Sequence, residues 1–296
     1  MLTKAESSGV KSIRLHDGRR LAYQDMGDPL GRPVIFCHGW GDSRLMRHPD
    51  ERLTANLGVR LITIDRPGIG FSDFQIGRTL LDWPDDVRQL ADELGLERFA
   101  LLGHSGGGPH ALACALCYPE RLSRVGIASG LAPLDHPGGS NGLPLWMQAG
   151  YLFFRRYPWT TRLFIPPLPG RFLYWVERRV MRALELAYPP GDRVVLAQPG
   201  VRDMFMTSGG EAVRQGTRGL AHDLGLIVGQ PWGFQPRDIR LRVFLWYGDD
   251  DDTVPLQMGR YLAGQLNGSR LHEYPGEGHL LFINHWGELL KTLVEE

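Results

Sequence analysis

Cysteine is scarce in this chain, with three cysteines among 296 residues. A low and odd number of cysteines argues against a framework of disulfide bonds. Cys114 and Cys117 form a C-x-x-C pair, but they lie in a run rich in Ala and Leu that is typical of a helix. We therefore expect both to pack as small apolar side chains rather than to bind a metal or undergo redox chemistry.

Net charge and long hydrophobic runs are also missing. Basic and acidic residues number 33 each, so no net field attracts the chain to nucleic acid. No apolar run approaches the roughly 18 residues of a membrane span, and residues 1–6 show no apolar signal region. The chain has no H-E-x-x-H motif, no P-loop and no G-x-G-x-x-G after a first strand. These absences predict a soluble, cytoplasmic protein without a metal, a cofactor or a nucleic-acid partner.

What the chain does contain is an alternation of strand and helix patterns. Short apolar runs typical of buried parallel strands alternate with stretches in which apolar residues recur at helical spacing. The predicted strands are 33–37, 59–64, 99–102, 124–128, 242–247 and 270–274, after an antiparallel hairpin of 12–15 and 20–23, and the predicted helices start at 82, 108, 256 and 280. This order predicts an α/β fold, with a mostly parallel twisted sheet and helices on both faces.

Residues 135–235 interrupt this alternation. Ten of the thirty residues from 146 to 175 are aromatic, and arginines but no acidic residues occur between 138 and 175. We interpret residues 135–235 as a mainly helical lid inserted into a core formed by 1–134 and 236–296. Most of the aromatic side chains are expected to form the core of the lid itself, and some to face the pocket beneath it.

The sequence Gly103-His104-Ser105-Gly106-Gly107 fits the G-x-S-x-G pattern, between a predicted strand and a predicted helix. A sharp turn in this setting, flanked by small residues, holds a serine hydroxyl clear of the sheet in a strained backbone conformation. Ser105 is therefore the candidate nucleophile.

A serine nucleophile needs a base within hydrogen-bond reach, and the base needs an acidic residue that orients it. His279 is the candidate base because it follows the last predicted strand, where catalytic groups collect in this architecture. The acidic residue is sought in the run Asp249–Asp252, which also follows a strand, with Asp135 as the alternative.

Backbone N–H groups are needed to stabilise the oxyanion. The candidates are the N–H of Gly106, next after Ser105, and the N–H of Trp40, which follows His38-Gly39 at another strand end. The alternative interpretation is that Gly39 and Gly41 only make a tight turn.

At this point the chain resembles the α/β-hydrolase superfamily, over most of its length outside 135–235. The matching motifs are H-G-W-G at 38–41, D-R-P-G-I-G-F-S at 65–72, the turn at 103–107 and G-E-G-H at 276–279. P-W-G-F at 231–234 also looks like a segment found where the lid returns to the core in esterase-like members. The segment G-x-x-D-x-x-V-P at 248–255 looks like the acid loop of the family, which implies Asp251 as the acidic residue. Many members have a proline where this chain has Gly41, and members that open epoxides or displace halides have an aspartate nucleophile instead of serine.

The motifs and the resemblance together predict a serine hydrolase that cleaves a carboxylic ester through an acyl-enzyme. The aromatic residues of the expected lid predict a small to medium apolar substrate. Ser105, Asp251 and His279 would form the catalytic triad, with Trp40 and Gly106 as oxyanion donors. The same triad also serves amide, peptide, lactone and C–C hydrolysis and cofactor-free peroxidase-like chemistry. A ligand-binding receptor on a hydrolase fold is the alternative from another class.

Overall fold

A computed structural model describes residues 10–135, 138–161, 165 and 188–295. Its central feature is an eight-stranded sheet. The strands are β1 (Lys11–Arg14), β2 (Arg20–Gly27), β3 (Arg32–Cys37), β4 (Val59–Ile64), β5 (Phe99–His104), β6 (Leu122–Ala128), β7 (Val243–Gly248) and β8 (Arg270–Tyr274). Their spatial order is β1-β2-β4-β3-β5-β6-β7-β8. β1 and β2 pair antiparallel, as does β2 with β4, and all later pairs are parallel.

Helices connect the strands and cover both faces of the sheet. They are α1 (Glu51–Asn56), α2 (Trp83–Glu93), α3 (Gly107–Cys117), α4 (Leu145–Arg156), α5 (Pro190–Leu196), α6 (Val201–Ala212), α7 (Arg218–Leu224), α8 (Leu256–Gln265), α9 (Leu281–Asn284) and α10 (Trp286–Val294). One buried apolar cluster holds side chains of α2, α3 and α8, and a second holds side chains of α9 and α10. The predicted α/β fold is thereby confirmed. No helix in the described ranges is both long and apolar enough to cross a membrane.

Two predicted helices differ from the observed ones. The helix predicted from residue 108 to 122 ends at Cys117, because Tyr118 precedes a proline and adopts φ −136° and ψ 55°. The closing helix is divided at His285, whose φ of −102° and ψ of 13° place it between α9 and α10. The expected burial of both cysteines in α3 is correct for Cys114 and wrong for Cys117, which is exposed at the last position of the helix.

The carboxyl ends of the parallel strands lie at one edge of the sheet. The loops that follow β3, β5, β7 and β8 therefore meet there, as expected for ligand sites in open α/β sheets. Helices α4 to α7 belong to the long connection between β6 and β7. This connection holds both the pocket-lining side chains and the buried carboxylates described below.

Candidate active site

Ser105 lies at the sharp turn between β5 and α3, and its φ of 51° is in the left-handed region. A non-glycine residue in this region stores backbone strain, which the surrounding contacts must hold in place. The Ser105 N–H donates to the carbonyl of Ala128 at 3.0 Å. A Cβ on Gly107 would lie 2.0 Å from the carbonyl oxygen of Cys37, so glycine is required for α3 to start this close to β3. The turn therefore has the form predicted from the G-x-S-x-G pattern.

The structure brings His279 and Asp251 together. The Nδ1 of His279 lies 2.9 Å from Oδ2 of Asp251, and both residues are buried. The other carboxylate oxygen, Oδ1, accepts the N–H groups of Thr253 at 2.9 Å and Val254 at 2.8 Å. Because backbone donors fix this carboxylate, it can hold the His279 ring in one orientation and leave Nε2 as the basic nitrogen.

Burial alone would lower the pKa of His279, but the charge and the hydrogen bond of Asp251 outweigh it, so the pKa is raised. The raised pKa makes His279 a stronger proton acceptor than an isolated imidazole. A base that takes a proton from a serine hydroxyl gains from this arrangement.

The other acidic candidates are placed differently. Asp249 and Asp252 are exposed, and Asp249 accepts the N–H of Gly276 at 2.7 Å. Asp250 is only half-buried. Asp135 lines a smaller cavity beside Arg155. Among these candidates, the geometry favours Asp251.

Trp40 and Gly106, the two candidate oxyanion donors, lie side by side. A Cβ on Gly106 would be 3.0 Å from the backbone nitrogen of Trp40, so the two chain segments approach closely. The indole of Trp40 is 37% exposed and donates its Nε1–H to the carbonyl of Leu220 at 2.9 Å. The two candidate donors therefore lie close together beside Ser105.

Two further histidines, His38 and His104, hydrogen-bond to the loops at this edge of the sheet. The Nδ1–H of His38 donates to the carbonyl of Gly39 at 2.8 Å. The Nε2–H of His104 donates to the carbonyl of His279 at 3.2 Å. Burial lowers the pKa of both rings well below the ordinary value, so both are neutral.

Asp192 is a residue at the site that sequence reasoning missed. It is fully buried at the start of α5, and its carboxylate accepts the N–H groups of His279 at 3.0 Å and Leu280 at 2.7 Å. Burial raises the pKa of Asp192 to about 6. No motif surrounds Asp192 in the sequence P-P-G-D-R. Only its contacts show that it binds the backbone of the histidine loop, residues 275–280.

A cavity of about 400 Å³ opens above Ser105. Ser105, His279 and Trp40 all line it. Its apolar wall is largely built from the connection between β6 and β7: Met147, Tyr151, Tyr188, Phe205, Leu224, Ile227 and Val228. The cavity therefore joins the candidate reacting groups to an apolar binding surface.

The aromatic side chains of residues 146–175 are more exposed than expected. Six of these ten residues are described, and four of the six are exposed: Trp146, Phe153, Tyr157 and Trp159. Tyr151 lines the cavity and Phe154 packs against the core. The remaining four, Phe164, Phe172, Tyr174 and Trp175, lie outside the described residues, as do Arg162 and Arg171. Arg155 and Arg156 are exposed.

No group of three or more histidine, cysteine or acidic residues in the described part of the chain is arranged to hold a metal ion.

Comparisons with known proteins agree with this architecture. The chain is 28% identical over 270 residues to the 2-hydroxy-6-oxo-6-phenylhexa-2,4-dienoate hydrolase of Comamonas testosteroni, covering 87% of this chain and 84% of that protein. It is also 28% identical over 281 residues to a bifunctional esterase/perhydrolase of Acinetobacter calcoaceticus, covering 90% and 92%. A hydrolase from Pseudomonas aeruginosa PA01 has a similar fold, with a TM-score of 0.72 at 20% identity over 98% of this chain and all of that one. The family model for the alpha/beta hydrolase fold matches residues 32–285, so the chain belongs to the alpha/beta hydrolase family.

Proposed function

We propose that this protein is a serine hydrolase that cleaves carboxylic esters of small to medium apolar substrates through an acyl-enzyme. One observation carries the proposal: the strained turn holds Ser105 at the same cavity as His279, whose ring is fixed by the buried carboxylate of Asp251. The similarity to hydrolases and to an esterase/perhydrolase supports hydrolysis as the class of reaction.

In the proposed acylation step, the Ser105 oxygen attacks the ester carbonyl while Nε2 of His279 takes the hydroxyl proton. Asp251 holds the ring and stabilises the imidazolium that forms. The N–H groups of Trp40 and Gly106 stabilise the negative oxygen of the tetrahedral intermediate. His279 then gives its proton to the leaving alcohol, and the acyl group remains on Ser105.

In deacylation, water replaces the alcohol in the cavity. His279 takes a proton from the water, which attacks the acyl carbonyl, and the same oxyanion donors stabilise the second intermediate. Breakdown returns the proton to the Ser105 oxygen and releases the carboxylic acid. The residues therefore return to their starting protonation states.

We further propose that residues 135–235 act as a lid over this cavity and set its preference for apolar substrates. Support comes from Tyr151, Phe205 and Ile227 of this segment, which line the cavity beside Ser105. Apolar area buried by an acyl or alcohol chain favours binding by about 0.8 kcal/mol per CH₂ group.

A fluorophosphonate probe tests the proposal, because it reacts with an activated serine and not with an ordinary hydroxyl. We expect stoichiometric labelling of the wild-type protein, located at Ser105 by peptide mapping, and no labelling of Ser105→Ala. Absence of labelling in a folded wild-type protein would contradict the hydrolase proposal and favour a ligand-binding role.

A second candidate is perhydrolysis by the same acyl-enzyme, in which hydrogen peroxide replaces water. The similarity to the esterase/perhydrolase of Acinetobacter calcoaceticus, which extends over 90% of this chain, favours it as the second choice. Product analysis separates the two, because peroxide would divert the acyl group from the carboxylic acid to the peracid.

A further inference from the structure

Arg66 is a fully buried arginine that contacts the candidate oxyanion loop, residues 38–41. Its guanidinium donates to the carbonyl of His38, and to the carbonyl of Gly39 at 3.0 Å. It lies in the D-R-P-G-I-G-F-S segment, to which the proposed mechanism gives no role. A charged side chain buried on two backbone carbonyls needs an explanation, since burial of a charge is costly unless it is paired.

The carbonyl of Gly39 and the N–H of Trp40 belong to one peptide unit. In a trans peptide these two groups point in opposite directions. The donors that hold the Gly39 carbonyl from below, Arg66 and His38, therefore turn the Trp40 N–H toward the opposite side, where Gly106 and the cavity lie.

The second oxyanion donor is oriented in the same way but by backbone alone. The carbonyl of Ser105 shares a peptide unit with the N–H of Gly106. It accepts the N–H of Gly108, in the first turn of α3, at 2.9 Å. One half of the candidate oxyanion hole is thus fixed by the start of a helix. In the other half, the Gly39 carbonyl accepts one long backbone bond, from the N–H of Asp42 at 3.4 Å, and two shorter bonds from the side chains of His38 and Arg66.

The connection between β6 and β7 holds Arg66 in place. Asp223 of α7 is fully buried and accepts from Arg66 through Nε at 3.0 Å and Nη2 at 2.7 Å. Arg78 donates to the other oxygen of the same carboxylate at 2.6 Å. Burial would raise the pKa of Asp223, but the two guanidinium groups hold it well below its usual range, so the carboxylate is charged.

We propose that Arg66, anchored by Asp223, is a positioning residue that orients the Trp40 N–H for transition-state stabilisation. The inserted segment thereby completes the oxyanion hole without touching the substrate there. This inference rests on the proposed function, because it assigns a role within ester hydrolysis.

Arg78 offers a matched control. It is as deeply buried as Arg66 and binds the same carboxylate, but its side chain bonds are to Asp223 and not to the carbonyls of His38 or Gly39 among the described contacts. If Arg66 had a purely structural role, Arg66→Lys and Arg78→Lys would lower kcat by similar factors, since each weakens a buried ion pair.

The test compares Arg66→Lys and Arg78→Lys in the full chain, with thermal unfolding measured alongside. Lysine keeps the charge opposite Asp223 but cannot bridge the carboxylate and both carbonyls at once. We expect kcat for a short-chain ester to fall roughly 100-fold in Arg66→Lys with little change in KM, and about threefold or less in Arg78→Lys. The inhibition constant of an alkyl boronic acid, which forms a tetrahedral adduct on serine, should rise in parallel with the loss of kcat.

Equal losses of kcat in the two variants, or an unchanged boronic acid inhibition constant in Arg66→Lys, would overturn the inference. If Arg66→Lys does not fold, Asp223→Asn is compared with Arg78→Lys on the same readouts and under the same expectations. Failure of the proposed function is distinguishable, because the wild-type protein would then fail to react with the fluorophosphonate probe.

Discussion

The loops at the strand ends and the connection between β6 and β7 contribute to the site in different ways. The strand-end loops carry the groups proposed to react: Ser105 after β5, Asp251 after β7 and His279 after β8. The connection contributes the buried carboxylate of Asp192, which accepts the N–H of His279, and the buried carboxylate of Asp223, which binds Arg66. It also supplies most of the apolar wall.

The strand-end loops therefore carry the residues proposed to react, and the connection carries residues that hold those loops in position. Groups that follow strand ends are placed by the backbone hydrogen bonds of the sheet. The side chains of the connection act through the backbone of the histidine loop and, by way of Arg66, through the oxyanion loop. We therefore expect substitutions in the first set to remove steps of the reaction, and substitutions in the second set to weaken geometry, pH dependence and substrate preference.

The largest effect is expected for the nucleophile. Ser105→Ala should lower ester turnover by roughly 10⁴–10⁶-fold, because the covalent route is lost while the oxyanion donors remain. Folding should be nearly unchanged, since the hydroxyl is not part of the apolar core. Steady-state kinetics with an activated ester and a thermal unfolding curve check both statements. Near-wild-type turnover in a folded variant would mean that another group is the nucleophile.

The next effect concerns the acidic residue. Asp251→Asn should lower turnover by roughly 10⁴-fold, because the neutral amide no longer fixes the productive tautomer of His279. It should also lower the pKa of His279, since the carboxylate raises that pKa. His279 acts as a base when neutral, so the acid limb of the kcat/KM profile would move to lower pH.

Asp252→Asn is the matched control for this change, because Asp252 is exposed in the same loop. Its turnover should stay close to that of the wild type. A large loss in Asp252→Asn or in Asp135→Asn, with a small one in Asp251→Asn, would assign the acidic role to the other residue.

A smaller effect is expected from the support in the connection. Asp192→Asn keeps the shape of the side chain but removes its charge and one of its two acceptor oxygens. We expect kcat to fall about 10–100-fold as the histidine loop shifts. The acid limb should also move to lower pH, because the negative charge of Asp192 contributes to the raised pKa of His279.

Asp203→Asn in α6 removes the same charge from an exposed position of the same connection and should change neither quantity. An Asp192→Asn variant with wild-type kcat and an unmoved acid limb would show that the histidine loop does not depend on this carboxylate. The proposal that the connection supports the strand-end loops would then be wrong for α5.

The smallest effect, counted per CH₂ group of the substrate, is expected from the apolar wall of the cavity. Catalytic efficiency should rise as the acyl chain lengthens from two to about six carbons, by up to about fourfold per CH₂ group if each is fully buried. Phe205→Ala should flatten this rise more than it lowers activity on acetate. A profile that is flat or falls from acetate onward in the wild type would mean that the wall does not bind the acyl chain.

Site residues with a short sequence motif around them could be predicted directly from the sequence. The turn at Ser105 carries its own signature because strand, small residues and helix follow one another directly. His279 stands at a strand end. Asp251 needed a family pattern for its selection from four consecutive aspartates, and in the structure it is the buried one. The predicted positions of helix ends were less accurate, since α3 ends at Cys117, before Pro119, and not at residue 122.

The sequence by itself determined the order of strands and helices, the family and the candidate reacting residues, because these depend on local apolar spacing and short motifs. Only the tertiary structure decided the roles of Arg66, Asp192 and Asp223. Asp192 and His279 are 87 positions apart in the sequence, and Asp223 and Arg66 are 157 positions apart. No local pattern records such contacts, because chain folding alone brings these buried charges to the loops that they hold.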